Sequence, residues 1–219
     1  AGAGGRRRAS AVLAPALPPS QRTALHASPH TYGGVSHPRT VVREAPAVIL
    51  LDDVVSAEER AHIIATARPL MKDAVVSGDG AGFVSKGRSN AVAWVAHDTS
   101  PTIWAVVQRL CGLAGVQSSR AESMQVIRYA VGQKYNAHFD AYDKTSTRGQ
   151  RTTADGGNRM LTMLLYLQEP EEGGETEFPG GLGRDAEGER LTVAPREGRV
   201  LFFHNCIEDG LDDEEWSGE

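Results

Sequence analysis

Five short apolar or alternating runs fill the second half of the chain, and they limit its fold more than any other feature. They are SMQVIRYA (123–130), RMLTMLLYLQ (159–168), ETEF (175–178), LTVA (191–194) and GRVLFFHN (198–205). Each has strand length, and Gly- or acid-rich turns such as EPEEGGE lie between them. Before them come two helical patterns. Ser56 followed by Glu59 forms a capping box, and Ile63, Ile64, Ala67, Leu70 and Met71 recur at helical spacing until Pro69 ends or kinks the helix near Arg68. Ser100 caps a second helix with Pro101 at its first position, Ile103, Val106, Val107, Leu110 and Leu113 as its buried stripe, and Gly112 or Gly115 as its stop. A further apolar run, APAVILL, predicts a strand entering at Pro46. Helices followed by a series of strands predict an α+β domain with a sandwich or barrel core.

Charge and composition divide the chain near residue 45. No acidic residue precedes Glu44, whereas Arg6, Arg7, Arg8, Arg22, Arg39 and Arg43 do, so a basic start is joined to an acidic remainder within a net charge of -5. Residues 1–45 are rich in Ala, Gly, Pro, Ser and Arg, bury too little apolar surface to offset the entropy of ordering, and are predicted to be disordered. An organelle transit peptide, a basic linker and an incomplete start all fit this segment. Three consecutive arginines are too few to indicate nucleic-acid binding. Residues 46–219 read as one folded domain. No run approaches the ~18 apolar residues of a membrane span. Cys111 and Cys206, far apart and without metal-type spacing, exclude a disulfide framework and leave the redox compartment open.

Chemistry concentrates in GQKYNAHFDAYD, residues 132–143. In an extended strand His138 and Asp140 would point to one face and could grip one cation. In a polar turn both would face water. A His-x-Asp pair supplies two of the three ligands of the 2-His-1-carboxylate triad of non-haem Fe(II) oxygenases, which leaves open positions for a bidentate co-substrate and dioxygen. The polar, Gly-bearing segment 143–158 that follows is predicted to be a mobile loop.

Several ordered motifs carry a resemblance to a known family. Tyr135-x-x-His138-x-Asp140, Arg159-x-x-Thr162-x-x-x-Tyr166-Leu167, the GGET turn with Phe178-Pro179, and the GRVLFF strand resemble the prolyl 4-hydroxylase (alpha-subunit-like) family of Fe(II)/2-oxoglutarate dioxygenases, over roughly residues 46–213. GRSNAVAWV resembles that family's Arg-Thr-Ser…Trp segment, with Ser89 and Asn90 in place of Thr-Ser. The resemblance implies a double-stranded β-helix (jelly roll) flanked by N-terminal helices. It implies Fe(II) on His138 and Asp140, 2-oxoglutarate near Tyr135, Thr162 and Tyr166, and a proline-rich peptide near Arg88 and Trp94. The implied reaction is peptidyl-proline 4-hydroxylation with O2, sustained by L-ascorbate. Alternatives are a related 2-oxoglutarate hydroxylase with another substrate, and a non-catalytic peptide- or metal-binding module. Without the resemblance, Tyr135 and Tyr166 read as amphipathic core residues, Thr162 as an ordinary strand residue, Arg88 as a solvated charge and Trp94 as a core anchor. Arg159 faces opposite to Thr162 and is assigned a structural role; His204 is aligned with a family aromatic.

The family pattern continues with a third iron-binding His and, about ten residues on, a Lys for the far carboxylate of 2-oxoglutarate. No His or Lys follows His204 in this sequence. The expectation is that the last strands are missing, and that the chain as written is inactive or nearly so unless the complete protein supplies them. Compartment stays open between the endoplasmic reticulum or secretory pathway, as the resemblance implies, and an organelle. The oligomeric state and the substrate protein are not legible.

Overall fold

A computed structural model describes residues 31–44, 47–74, 87–154, 157–179, 190–208 and 211–212. A small hairpin, β1 (Thr31–Tyr32) with β2 (Val35–Ser36), leads into β3 (Arg39–Glu44) and β4 (Ala47–Leu51). Helix α1 (Ala57–Ala67) comes next, then β5 (Lys72–Asp73), β6 (Ala91–Val95) and helix α2 (Pro101–Ala114). After β7 (Met124–Arg128), a short helix α3 (Thr147–Thr153) precedes β8 (Leu161–Leu165). The order closes with β9 (Thr176–Phe178), β10 (Leu191–Val193), β11 (Val200–His204), β12 (Cys206–Glu208) and β13 (Leu211–Asp212).

The central sheet is antiparallel, in the order β3-β4-β11-β8. Because strand side chains alternate, its two faces meet different neighbours. Ile49, Leu51, Val200 and Phe202 face α1 and α2, and share a core with Ile63, Ile103, Val106 and Leu110. Val48, Leu201 and Phe203 face the other way, and pack with Phe178, Leu191 and Val193 of the β9-β10 pair. Helices therefore cover one face, and a second sheet covers the other. A further sheet, β5-β6-β7, joins the helix side through Ala93, Val95 and Val126.

The helices follow their sequence signals. Ser56 and Glu59 form the reciprocal capping box of α1. Ser100 caps α2, Pro101 takes its first turn, and Gly115 ends it at φ +70°, where a side chain would be strained. All five predicted stripe residues of α2 are buried. In α1 the stripe ends early: Pro69 stops the helix at Arg68, a 3-10 turn follows, and Leu70 is turned out to solvent.

Two expectations fail within the described residues. The predicted disorder of residues 1–45 does not hold for its second part, since β3 pairs along β4 from Arg39↔Leu51 to Glu44↔Ala47, with Val42 packed against the core. Backbone pairing along a sheet edge orders such a strand with little burial of its own, which composition does not reveal. Residues 1–30 lie outside the described residues. The predicted mobile loop at 143–158 contains α3, capped by Ser146 Oγ on the Gly149 amide and anchored by Ser146 to the Asp143 carbonyl. The strand β6 carries Trp94, half-exposed and so no core anchor; its short Ala-rich run had no strand signal of its own.

Candidate metal centre

The segment from Tyr135 to Asp140 is not a regular strand. Tyr135 makes an isolated antiparallel bridge to Arg88, and the chain bends on either side of His138. His138 and Asp140 nonetheless stand side by side, with His138 Nε2 3.3 Å from Asp140 Oδ1 and each side chain 26% exposed. The bend brings together what a strand was expected to align.

The imidazole is oriented on three sides. Its Nδ1 lies 2.8 Å from the Asn136 carbonyl oxygen. A carbonyl only accepts, so Nδ1 carries a proton there, and Nε2 is the nitrogen turned to Asp140. The Tyr135 ring stacks on the imidazole with centroids 3.7 Å apart and planes 21° apart. The Arg88 guanidinium covers Tyr135's ring at 4.4 Å, and its Nε donates to Asn90 Oδ1 at 3.2 Å.

Asp140 is held as firmly. The Thr162 hydroxyl donates to Oδ2 at 2.5 Å, and Arg159 Nη1 reaches the Asp140 backbone oxygen at 3.4 Å. Burial alone would raise the Asp140 carboxyl. Hydrogen bonds from His138 and Thr162, with the nearby charges of His138 and Arg159, more than offset it and hold the carboxyl below its ordinary value. It is ionised at neutral pH. Arg159 itself is clamped by both oxygens of Glu122, at 2.6 and 2.8 Å, in line with the structural role read from its position.

The donor chemistry fits a cation. An imidazole nitrogen and an ionised carboxylate oxygen face each other across 3.3 Å, close enough to share a proton. A divalent ion can take the place of that proton, with the Nε2 lone pair and Oδ1 as its donors. A ligating His whose other nitrogen donates to a backbone carbonyl is the usual arrangement at metal centres. Among the described residues no third His, Cys, Asp or Glu completes a cluster.

The other expected site residues divide. Thr162, Leu164 and Tyr166 alternate onto the face of β8 that meets Leu201 and Phe203, as period-2 spacing predicts. Tyr166 is buried there, its hydroxyl 2.8 Å from Thr176 Oγ1, and burial pushes its phenol up to about 12. Arg88 lies beside His138 through Tyr135. Trp94 does not: it sits six residues along from Arg88, about 20 Å on an extended chain, and is half in solvent.

Two residues absent from the expected site are found in it. Asn158 bonds the Tyr142 backbone at both ends, Oδ1 accepting from its N–H at 2.8 Å and Nδ2 donating to its C=O at 2.9 Å. This ties the segment after Asp140 to the approach of β8. Asn205 Nδ2 donates to Thr162 Oγ1 at 2.9 Å. Alternation along GRVLFFHN puts Asn205 on the face of Leu201 and Phe203, and so could have found it.

Residues 124–209 match the model of the 2OG-Fe(II) oxygenase superfamily. Prolyl 4-hydroxylase 1 of Arabidopsis thaliana is 32% identical over 182 residues, which cover 79% of this chain and 62% of that protein. The chain spans less than two thirds of the length of the curated relatives it matches. The fold is similar to that of the viral collagen prolyl hydroxylase from Paramecium Bursaria Chlorella virus-1, solved as a 2OG complex. Its TM-score is 0.54 at 21% identity, over 78% of this chain and 86% of that one. It is also similar to a Trichoplax adhaerens prolyl hydroxylase, solved with a hypoxia inducible factor oxygen degradation domain peptide fragment. There the TM-score is 0.54 at 13% identity, over 78% of this chain and 75% of that one. Those likenesses give the α+β sheets described above the jelly-roll, double-stranded β-helix fold. By motif, sequence match and fold together, the chain is similar to the prolyl 4-hydroxylases of the 2OG-Fe(II) oxygenase superfamily.

Proposed function

We propose that the protein hydroxylates proline in peptides, with Fe(II) on His138 and Asp140 and with 2-oxoglutarate and O2 as co-substrates. The observation that carries this reading is the convergence of His138 Nε2 and Asp140 Oδ1, 3.3 Å apart, with Nδ1 held by the Asn136 carbonyl. When bound, Fe(II) supplies the oxidising chemistry that couples decarboxylation of 2-oxoglutarate to succinate with transfer of one oxygen atom to the substrate carbon.

The chain's own residues bind and orient. Asn136 fixes the ligating tautomer of His138, and Tyr135 holds its plane. Thr162 and Arg159 restrain Asp140 by its carboxylate and its backbone. The Tyr135 hydroxyl is assigned to the co-substrate, and Thr162 and Tyr166 to the lining of its pocket; the β9-β10 pair covers this face and keeps water from it. Arg88 and Trp94 are assigned to the peptide, with the exposed indole as a platform for a polyproline II segment. The peptide complex of the Trichoplax relative supports a peptide substrate. Ascorbate is assigned the rescue of oxidised iron.

Mass spectrometry on a panel of peptides tests the substrate class. Full-length protein with Fe(II), 2-oxoglutarate and ascorbate is expected to add one oxygen to proline in proline-rich peptides, and to leave matched peptides with alanine in its place unchanged. Oxygen transfer to the alanine peptides, or to free small molecules in preference to peptides, would overturn the assignment.

A further inference from the structure

The face of β11 that meets Thr162 ends in a buried amide whose role is not yet explained. Asn205 is 5% exposed, and its backbone N–H donates to the Met160 carbonyl at 3.0 Å, one step past the last β8-β11 pair, His204↔Leu161. Its Nδ2 donates to Thr162 Oγ1 at 2.9 Å, and Thr162 Oγ1 donates to Asp140 Oδ2 at 2.5 Å.

This chain of bonds has a single polarity. A hydroxyl has one proton to give, and an ionised carboxylate can only accept, so the Thr162 proton belongs to Asp140. Thr162 Oγ1 must then accept from Asn205. Were the amide turned over, its oxygen would claim that proton and leave two lone-pair oxygens 2.5 Å apart at Asp140. The amide is thereby fixed with its nitrogen inward, and Asp140 Oδ2 is committed to Thr162. Oδ1 alone is left to face His138 Nε2.

We propose that Asn205 is a positioning residue of the metal centre, which acts through Thr162 to hold Asp140 as a one-oxygen ligand. The proposal rests on the metal-site reading above. Its consequence is chemical: a carboxylate free to turn binds through both oxygens and fills a position that a bidentate co-substrate or dioxygen needs. Partners of a ligating carboxylate tune affinity and geometry without touching the ion.

Calorimetric titration with Co(II), used as an air-stable probe, tests this in the full-length protein. The forms compared are the unaltered chain, Asn205→Ala, Thr162→Val, Thr162→Ser and the double variant Asn205→Ala/Thr162→Val. Asn205→Ala and Thr162→Val are each expected to weaken Co(II) binding about tenfold. Thr162→Ser, which keeps the hydroxyl, is expected to stay within about threefold of the unaltered chain, and the double variant to bind no more weakly than Thr162→Val. The visible bands of bound Co(II) are expected to change in Asn205→Ala as Asp140 gains a second contact, which a merely structural role would not cause.

Asn205→Ala binding within about twofold of the unaltered chain with an unchanged spectrum, or losses that multiply in the double variant, would overturn the proposal. If Asn205→Ala does not fold, equal affinities for Thr162→Val and Thr162→Ser overturn it instead. A different failure marks the underlying reading: if the unaltered protein takes up no Co(II), or His138→Ala takes up as much, the metal site falls and the relay with it.

Discussion

Tyr135 has two separable jobs, and replacing it in two ways tests both. Its ring lies between the Arg88 guanidinium, 4.4 Å from the centroid, and the His138 imidazole, 3.7 Å away and nearly parallel. Tyr135→Leu removes both contacts. The stack is worth about 0.5–1.5 kcal/mol and the half-exposed cation–π contact about 0.5–1 kcal/mol. Together they give about 1–2.5 kcal/mol for holding the ring in place, or roughly 5- to 60-fold if all of it appears in metal affinity. The bond from His138 Nδ1 to Asn136 survives the substitution and still tethers the ring, so the expected loss is at the low end, about tenfold. Tyr135→Phe keeps the ring and removes only the hydroxyl. It is expected to bind metal within about twofold of the unaltered protein. Its half-saturation for 2-oxoglutarate should rise by about tenfold or more, the worth of one charge-assisted hydrogen bond. Calorimetry with Mn(II), then with 2-oxoglutarate on the metal-loaded protein, reads the two effects apart. Undiminished metal binding in Tyr135→Leu, or an equal loss in Tyr135→Phe, would refute this division of labour.

Two further predictions concern the supporting frame. Arg109 of α2 grips both Glu59 oxygens at 2.8 Å and the Val54 carbonyl at 2.8 Å, and the pair is mostly buried. The hydrogen bond from Arg109, opposed by burial and aided by the Ser56 amide and the Arg109 charge, holds the Glu59 carboxyl below its ordinary value. Its contribution is therefore full above the unfolded glutamate value of ~4.3 and is lost as pH falls through the lower folded value. Arg109→Met is expected to cost about 1.5–3 kcal/mol in urea unfolding at pH 7, and the difference from the unaltered chain should shrink below about pH 4; a difference independent of pH would contradict the assignment. In α3, a methyl group on Gly149 would meet the Asp143 carbonyl oxygen at 1.8 Å, a backbone atom with no side-chain freedom to retreat. Gly149→Ala is expected to destabilise by about 1–3 kcal/mol, and an unchanged unfolding midpoint would show that α3 is not packed as described.

Helices and core strands were legible because their signals are local. The capping box at Ser56 and Glu59, Pro101 and the stripe of α2 each lie within one element and need no distant partner. The alternation of Thr162, Leu164 and Tyr166 was legible for the same reason. His138 and Asp140 were found by type and spacing, but the strand assumed for them was wrong: a bend and side-chain bonds to Asn136 and Thr162 achieve the same convergence. What escaped the sequence depends on residues far apart along the chain. β3 owes its order to β4, Asn158 matters through Tyr142, and Asn205 acts on a threonine 43 residues before it. Ser146 and Asp143 did carry a local cap signal for α3, hidden among the polar residues of a segment that reads as loop.

The account turns on His138 and Asp140 sharing one iron. The most direct measurement is Fe(II)-dependent formation of succinate from 2-oxoglutarate by the full-length protein, compared with its His138→Ala and Asp140→Ala variants at matched folding by circular dichroism. The account predicts turnover in the unaltered protein that requires added Fe(II), and none above background in either variant. Succinate formation that survives either substitution would contradict it.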